Sequence, residues 1–288
     1  MQNEAPHGFL LSIITINKNN ASGVSRTLDS LWCLQSEPLI EFLFIDGVSS
    51  DDSLQIATAF YRPACLVSEP DGGLYAAMNK GLRLASGVWL LWLNSGDELI
   101  PSCWPQLKRL LLDSTASVLC GASEIVDHTT GACDHVNPAR PSDLPWGMVN
   151  HSSTFFRRQT TLLYHGYNEC YRIAADRDLL VRFYLNHEPI EYTDLILSRF
   201  WLGGLSDHRL LERAKDNLKL DLATGLITPR AYRYGLIRHF LFLRLIRPVV
   251  RLLRRLLLGL GINLPPLGAF AGPLGELRRD AFAGRSHP

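Results

Sequence analysis

The sequence predicts an α/β fold, a mixed and mainly parallel sheet flanked by helices, and three observations carry that expectation. Short apolar runs rich in β-branched residues alternate with amphipathic segments at the spacing of βαβ units. Polar turn residues close the runs, and four acids among them, Asp46, Asp51, Asp71 and Asp97, fall at or just past predicted strand ends. In a parallel sheet those ends share one edge, outside which ligands of open α/β sheets bind.

Taken in order, Phe9–Ile16 (FLLSIITI) is a buried strand by its apolar, β-branched content; the polar turn Asn17–Asn20 and a helix near Ser22–Leu34 follow. Glu41–Ile45 is a second strand, ending on Asp46. The loop after it, DGVSSDDS from Asp46 to Ser53, is dense in carboxylates and hydroxyls and caps a helix over Ser53–Phe60. Cys65–Val67 is a third strand. The central stretch comes next: the turn Asp71-Gly72-Gly73, an amphipathic helix over Leu74–Leu84, a stop at Gly87, and an apolar strand, Val88–Leu93, that delivers Asn94, Ser95, Gly96 and Asp97. Val118–Val126 is a further strand, residues 127–140 form a polar hairpin or loop with no firmer assignment, Leu179–Leu185 is an apolar helix, and residues 207–225 form a polar one.

Length and composition bound the function. The 288 residues, 47% hydrophobic and 20% charged, suit one large globular domain or a domain with an appendage. The net charge of +1 hides an asymmetry: residues 1–229 hold 18 Lys and Arg against 26 Asp and Glu, while residues 230–255 hold eight Arg and no acid. Six cysteines without a CxxC pair argue against a zinc site and a disulfide framework, and a reducing cytosol is the simplest compartment. The N-terminus has no basic leader, and no apolar run approaches the ~20 residues of a spanning helix.

Any one of the four acids is equally well a turn former or a helix cap. Four on one rim repel unless a cation joins them, which favours a ligand site. Likewise His151, alone in the apolar stretch Met148–Phe156, is by itself more often structural than a ligand.

The segments SIITINKNN, FLFIDGVSSDDS, SEPDGGLYAAMNKGLRLASG and WLLWLNSGDEL closely resemble the N-terminal half of family 2 glycosyltransferases, inverting nucleotide-sugar-dependent enzymes of the GT-A fold. The pairing of EPD-G-Y-AMNKG with LNSGD is most similar to the branch that builds bacterial exopolysaccharide, capsule and O-antigen repeats. The resemblance implies that Thr15, Asn17, Asp46, Ser49 and Asp51 hold the nucleotide, and that Asp71, Gly73, Tyr75, Asn79, Lys80 and Asn94 line the donor pocket. It implies that Asp97 binds Mg²⁺ or Mn²⁺ against the donor diphosphate, and it turns His151 into a candidate near the metal or acceptor. Two departures stand out. The loop reads SSDDS, and the metal motif Asn94-Ser95-Gly96-Asp97 has a single acid.

Inverting transfer needs a carboxylate opposite the leaving group to take the acceptor proton. Asp176, in RIAADRDLL, matches the family's base position with Ala175 where many relatives have Glu; a helix N-cap is the bland alternative. The segment Phe200–Ser206 is similar to the one that closes the domain near the diphosphate.

A transferase domain over residues 1–225 and a tail over 226–288 are expected. Arg244, Arg247, Arg251, Arg254 and Arg255 share a helical face interrupted by Pro248, with leucines opposite. Such a helix lies on an anionic membrane surface, or packs on the domain or in a homo-oligomer. The leucine-rich face and acidic body argue against nucleic acid. Membrane attachment suits the family's polyprenyl-linked or oligosaccharide acceptors and a cytoplasmic place on the inner face of the cell membrane. The rival readings are a nucleotidyltransferase, whose Gly-rich basic loop Asn17–Asn20 does not reproduce, and a donor-binding scaffold subunit.

Overall fold

A computed structural model describes residues 8–60, 66–126, 131, 133–137, 139–141, 144–145, 150–201 and 210–241. In chain order its first compact unit, residues 1–207, contains β1 (Leu11–Asn17), α1 (Ala21–Leu31), β2 (Ile40–Asp46), α2 (Ser53–Phe60), β3 (Leu66–Ser68), α3 (Leu74–Leu84), β4 (Trp89–Trp92) and β5 (Glu98–Leu99). There follow α4 (Trp104–Asp113), β6 (Val118–Val126), β7 (Cys133–Asn137), β8 (Thr154–Arg157), α5 (Arg158–Leu163), α6 (Ala175–Leu185) and β9 (Ile190–Trp201).

The sheet runs β3-β2-β1-β4-β8-β6-β9-β5, with β7 on β6. All seven residues of β1 are buried, because it lies between β2 and β4, parallel to both, with helices over its faces. The second half is mixed: β8 is antiparallel to β4 and β6, β9 is parallel to β6, and β5 is antiparallel to β9. The fold is thus the mixed, mainly parallel α/β sheet that the sequence predicts. Four inter-strand steps separate β4 from β5, about 19 Å on a flat sheet. Only Leu93–Asp97 connect them, and that loop is folded back on itself, the Asp97 N–H donating to the Asn94 carbonyl at 3.0 Å. The sheet therefore curls until its far edge meets its middle.

The core explains the curl. On one face Leu11, Ile13, Phe44, Trp89, Leu91 and Phe155 pack with Val24, Leu28 and Leu31 of α1 and Leu107 and Leu111 of α4. Each such side chain contributes roughly 1.5–3 kcal/mol by leaving water. Trp89 also gives its indole N–H to the Leu111 carbonyl at 2.9 Å. On the other face α3 lies on β1 so closely that a Cβ at Gly81 would sit 2.5 Å from Ile14 Cγ2.

Two stretches differ from expectation. The unassigned region 127–140 contains β7, paired with β6. Residues 190–201, for which the sequence suggested no strand beyond a closing loop at its end, form the twelve-residue β9. Glu191, Asp194 and Arg199 interrupt its apolar pattern, and it is held by partners on both sides. The five described cysteines form no disulfide among the described residues.

The second compact unit, residues 208–288, contains α7 (Leu210–Ala223) and α8 (Pro229–Leu241). Gly235 of α8 meets α7, where a Cβ would come within 2.8 Å of Leu218. No described helix is long and apolar enough to cross a membrane. The arginine face from Arg244 to Arg255 and the Gly203–Ser206 segment lie outside the described residues.

Candidate active site

Three loops at the carboxyl edge of β1, β2 and β3 interlock. Asp46 is fully buried at the end of β2. Its carboxylate accepts from Asn17 Nδ2 at 2.9 Å, from the Ser49 N–H at 2.8 Å and from Ser68 Oγ at 2.8 Å, and Ser49 Oγ donates to it as well. Burial pushes the Asp46 carboxyl up, but these donors together outweigh it and hold the group below its ordinary range. Asn17 keeps a buried Oδ1 with no partner among the described residues. Thr15, two residues earlier on the same face of β1, is fully buried. Asp51 caps two helices at once, accepting from the Ala21 N–H of α1 at 2.9 Å and the Ser53 N–H of α2 at 3.1 Å. Between them Val48 is half exposed in the left-handed region at φ 61°, a costly place for a β-branched residue.

Asp71 faces this loop: a Cβ at Gly47 would meet its Oδ2 at 2.7 Å, so a larger residue there would push the Asp71 carboxylate aside. Its Oδ1 accepts from the Gly73 N–H at 2.9 Å. Gly73, at φ 123° and ψ −178°, adopts a conformation essentially reserved for glycine and starts α3 with its N–H groups toward the edge. Lys80, on the next turns of α3, pairs with Glu69 at 2.8 Å.

Asp97 lies on the loop that crosses to β5. Its backbone is tied to α1, for Thr27 Oγ1 donates to the Asp97 carbonyl at 2.7 Å and accepts from the Gly96 N–H at 2.9 Å, while Asn20 Nδ2 donates to the Ser95 carbonyl at 2.9 Å. Thr27 carried no sequence signal beyond its place one helical turn from Gly23. No described residue donates a hydrogen bond to the Asp97 carboxylate. Burial, reinforced by neighbouring Glu98 and opposed by Arg26, pushes it up to about 7. Arg26 itself stacks over Trp201 at 4.0 Å, and Trp201 donates to Glu98 at 2.6 Å.

The expectation that one cation gathers the four acids does not hold. Among the described residues no three His, Cys, Asp or Glu side chains are close enough to hold a metal. Asp46 and Asp51 are instead neutralised by hydroxyl, amide and backbone donors. What fits a hard cation is narrower: the Asp97 carboxylate and the buried Asn94 Oδ1, which has no partner among the described residues. Two oxygen ligands suffice where phosphates and water complete the shell.

Opposite this edge, Asp176 sits in the first turn of α6. Ala174, not Asp176, is the N-cap. The Asp176 Oδ1 accepts from the Arg177 N–H at 2.8 Å and from the Tyr75 hydroxyl of α3 at 3.4 Å. Burial pushes the carboxyl up to about 6, against these hydrogen bonds and Arg177. Tyr75 stacks on Tyr167 with centroids 5.6 Å apart. Asn79 turns away from the donor edge and grips the loop before α6, donating to the Tyr167 carbonyl at 2.9 Å and to Glu169 at 2.8 Å. His151 is packed by Trp92, Phe156 and Tyr167, its Nε2 is 2.7 Å from the Tyr167 hydroxyl, and burial pushes it down to about 4. Tyr167 had drawn no attention in the sequence, where a lone aromatic in a loop is indistinguishable from core.

Residues 12–180 match the model of the family described as Glycosyl transferase family 2. An uncharacterized glycosyltransferase of Mycobacterium tuberculosis is 32% identical over 207 residues, covering 69% of this chain and 78% of that protein. A PGL/p-HBAD biosynthesis glycosyltransferase of Mycobacterium bovis is 27% identical over 245 residues, covering 77% and 91%. Among solved structures, S. aureus TarS 1-349 in complex with UDP-GlcNAc superposes with a TM-score of 0.58 at 17% identity, covering 81% of this chain and 73% of that one. A mannosyltransferase from Pyrobaculum calidifontis in complex with GDP-Man and Mn²⁺ also gives 0.58, at 15% identity and coverage of 96% and 81%. The chain belongs to glycosyl transferase family 2 and has the GT-A fold.

Proposed function

We propose that this glycosyltransferase inverts the anomeric centre, depends on Mg²⁺ or Mn²⁺, and moves a sugar from a nucleoside diphosphate onto a polyprenyl-linked or saccharide acceptor of a cell-surface glycoconjugate. The observation that carries this reading is the contact between Asp176 and Tyr75 at 3.4 Å. It ties Asp176 of α6, whose carboxyl burial raises to about 6, to the helix that begins at the Asp71–Gly73 donor loop. In this reading the acceptor hydroxyl gives its proton to Asp176 as its oxygen bonds to the anomeric carbon. The bond from that carbon to the donor phosphate breaks on the opposite side, and its electron pair leaves with the nucleoside diphosphate. Asp97 and Asn94 would hold the cation, which supplies charge neutralisation for the departing diphosphate.

Asn17, with its unused Oδ1, and Ser49, Asp51 and Asp71 are the residues we assign to the nucleotide, while Asp46 and Thr15 shape the loop from below. Gly73 opens room for the phosphates and Tyr75 lines the sugar side. The relatives support donor chemistry of this class, since TarS and the mannosyltransferase are seen with UDP-GlcNAc and GDP-Man. For the second unit we propose a seat on the anionic inner face of the cell membrane. On α8 the exposed residues Arg230, Arg233, Tyr234 and Ile237 recur at helical spacing on one side.

A screen of UDP- and GDP-sugars for Mn²⁺-dependent hydrolysis by the full-length protein tests the reading. Slow release of one sugar supports it. Hydrolysis of none, with UDP and GDP still bound, would leave the donor-binding subunit as the better account.

A further inference from the structure

We propose that Tyr167 is a positioning residue for Asp176, held by His151 and Asn79, and that His151 serves this role instead of ligating the metal. The proposal rests on the reading of Asp176 as the base.

Side chains from α3, β4 and the turn at His151 meet at Tyr167. Asn79 Oδ1 accepts from the Tyr167 N–H at 2.8 Å and Asn79 Nδ2 donates to its carbonyl at 2.9 Å, so the backbone is pinned on both sides. The fit depends on Gly166 beside it. At φ 64° that residue is left-handed, and a Cβ there would lie 2.5 Å from Asn79 Oδ1. Arg182 of α6 fastens the same loop, donating to the Gly166 carbonyl at 2.6 Å and to the Tyr164 carbonyl, while pairing with Asp178 at 2.8 Å. The ring is fixed by a face-on neighbour, Tyr75, and an edge-on one, Trp92, at 4.9 Å and 86°. Its hydroxyl is fixed by His151 Nε2 at 2.7 Å.

Tyr75 and Asn79 stand one helical turn apart on the same face of α3. One touches Asp176 and the other holds the residue that stacks on the first. Any drift of the Tyr167 ring therefore moves Tyr75, whose 3.4 Å bond to Asp176 Oδ1 is already long. The hydrogen bonds from the Tyr75 hydroxyl and the Arg177 N–H both go to Oδ1, and Oδ2 is the oxygen offered to the acceptor hydroxyl. Holding Oδ1 thus aims Oδ2, and small misplacements of such groups are costly to the rate. His151 fits this task better than ligation. Its Nε2 is committed to Tyr167, and its ring is walled by Trp92 and Phe156 with centroids 5.9 and 6.0 Å away.

The test uses full-length Tyr167→Phe, His151→Ala, His151→Gln and the Tyr167→Phe/His151→Ala double variant. Mn²⁺ affinity is measured by electron paramagnetic resonance in the presence of UDP and, separately, GDP. Turnover is measured with whichever of UDP-glucose, UDP-N-acetylglucosamine or GDP-mannose the parent protein hydrolyses. Tyr167→Phe and His151→Ala are expected to lower kcat about tenfold each with donor KM nearly unchanged. The double variant should be no worse than either single one, and His151→Gln, which can still hydrogen-bond the tyrosine, should recover most of the rate. Mn²⁺ affinity should stay within about twofold throughout. A tenfold loss of Mn²⁺ affinity in His151→Ala makes the histidine a ligand and overturns its assignment. Parental turnover by the near-isosteric Tyr167→Phe overturns the positioning role even if the histidine variants fail to fold. A parent that hydrolyses none of the three donors removes the base reading and the positioning role with it, while the Mn²⁺ comparison still decides His151.

Discussion

Asn79 and Tyr167 are joined twice, side-chain amide to backbone, at 2.8 and 2.9 Å. A buried asparagine thereby completes the hydrogen bonding of the Tyr167 peptide groups. Asn79→Ala leaves one N–H and one carbonyl buried without partners, each costing roughly 1–3 kcal/mol. Thermal melts should show a fall of roughly 5–10 °C. A melting temperature within a degree of the parent's would mean that the loop finds other partners.

Asp176→Asn keeps the shape of the site and removes the proton acceptor. Turnover should fall by about 10²–10⁴ while Mn²⁺-dependent UDP or GDP binding is retained. The pH profile has a fixed sign. The base works ionised and its carboxyl is raised to about 6, so kcat/KM should decline as pH falls through about 6, well above the range in which an ordinary carboxylate titrates. A profile flat down to pH 5 contradicts the assignment.

Asp97 carries an unmet cost in the metal-free protein. Its carboxyl, raised to about 7, binds a proton that the unfolded chain has already lost near pH 4. Native stability therefore falls as pH rises from about 4 to 7 on account of this group. In EDTA at pH 8, Asp97→Asn should be more stable than the parent by on the order of 2 kcal/mol, allowing for its partial exposure, and the gain should shrink toward pH 5. The same variant should lose Mn²⁺-dependent nucleotide binding in calorimetry. Intact binding would place the metal elsewhere.

How much of this was legible beforehand varies with the range of the forces involved. β1, β2, β4 and α3 were legible because both faces of the strands and one face of the helix are buried, which writes periodic apolar patterns into short stretches. Asp97 and Asp176 were singled out through family motifs, and their roles are those proposed above. β9 was not, since Glu191 and Arg199 break its pattern; Arg199 is there for its ion pairs with Glu98 and Glu124 at 3.1 and 2.8 Å. Nor was the spending of Asp46 and Asp51 on local donors, which is decided by atomic distances that residue types do not encode. Tyr167 depends on contacts from positions 75, 79, 92 and 151, none of them near it in sequence.

Val48 stands at φ 61° in a loop that the nucleotide reading needs. Val48→Gly removes a strain of roughly 1–2 kcal/mol and returns part of it as chain entropy, a net gain of about 1 kcal/mol. Melting should rise by about 2–4 °C. A decrease would show that the exposed valine packs on something in solution.

Removal of residues 230–288 should shift the protein from sedimenting with phosphatidylglycerol vesicles to remaining in the supernatant, and high salt should do the same to the full chain. Equal sedimentation of both forms would assign the basic segment to self-packing.

The short crossing from β4 to β5 gives the Asp97 loop a mechanical property. Leu93–Asp97 is a short, folded tether between the middle of the sheet and its far rim, with the Asp97 carboxylate at its end. Tightening or relaxing the curvature of the sheet must shift that tether, so the curvature sets where the Asp97 carboxylate stands. Length is therefore as constrained here as chemistry. One inserted residue would slacken the tether, loosen the bond from Thr27 to the Asp97 backbone carbonyl, and move the carboxylate while the rest of the edge stayed in place.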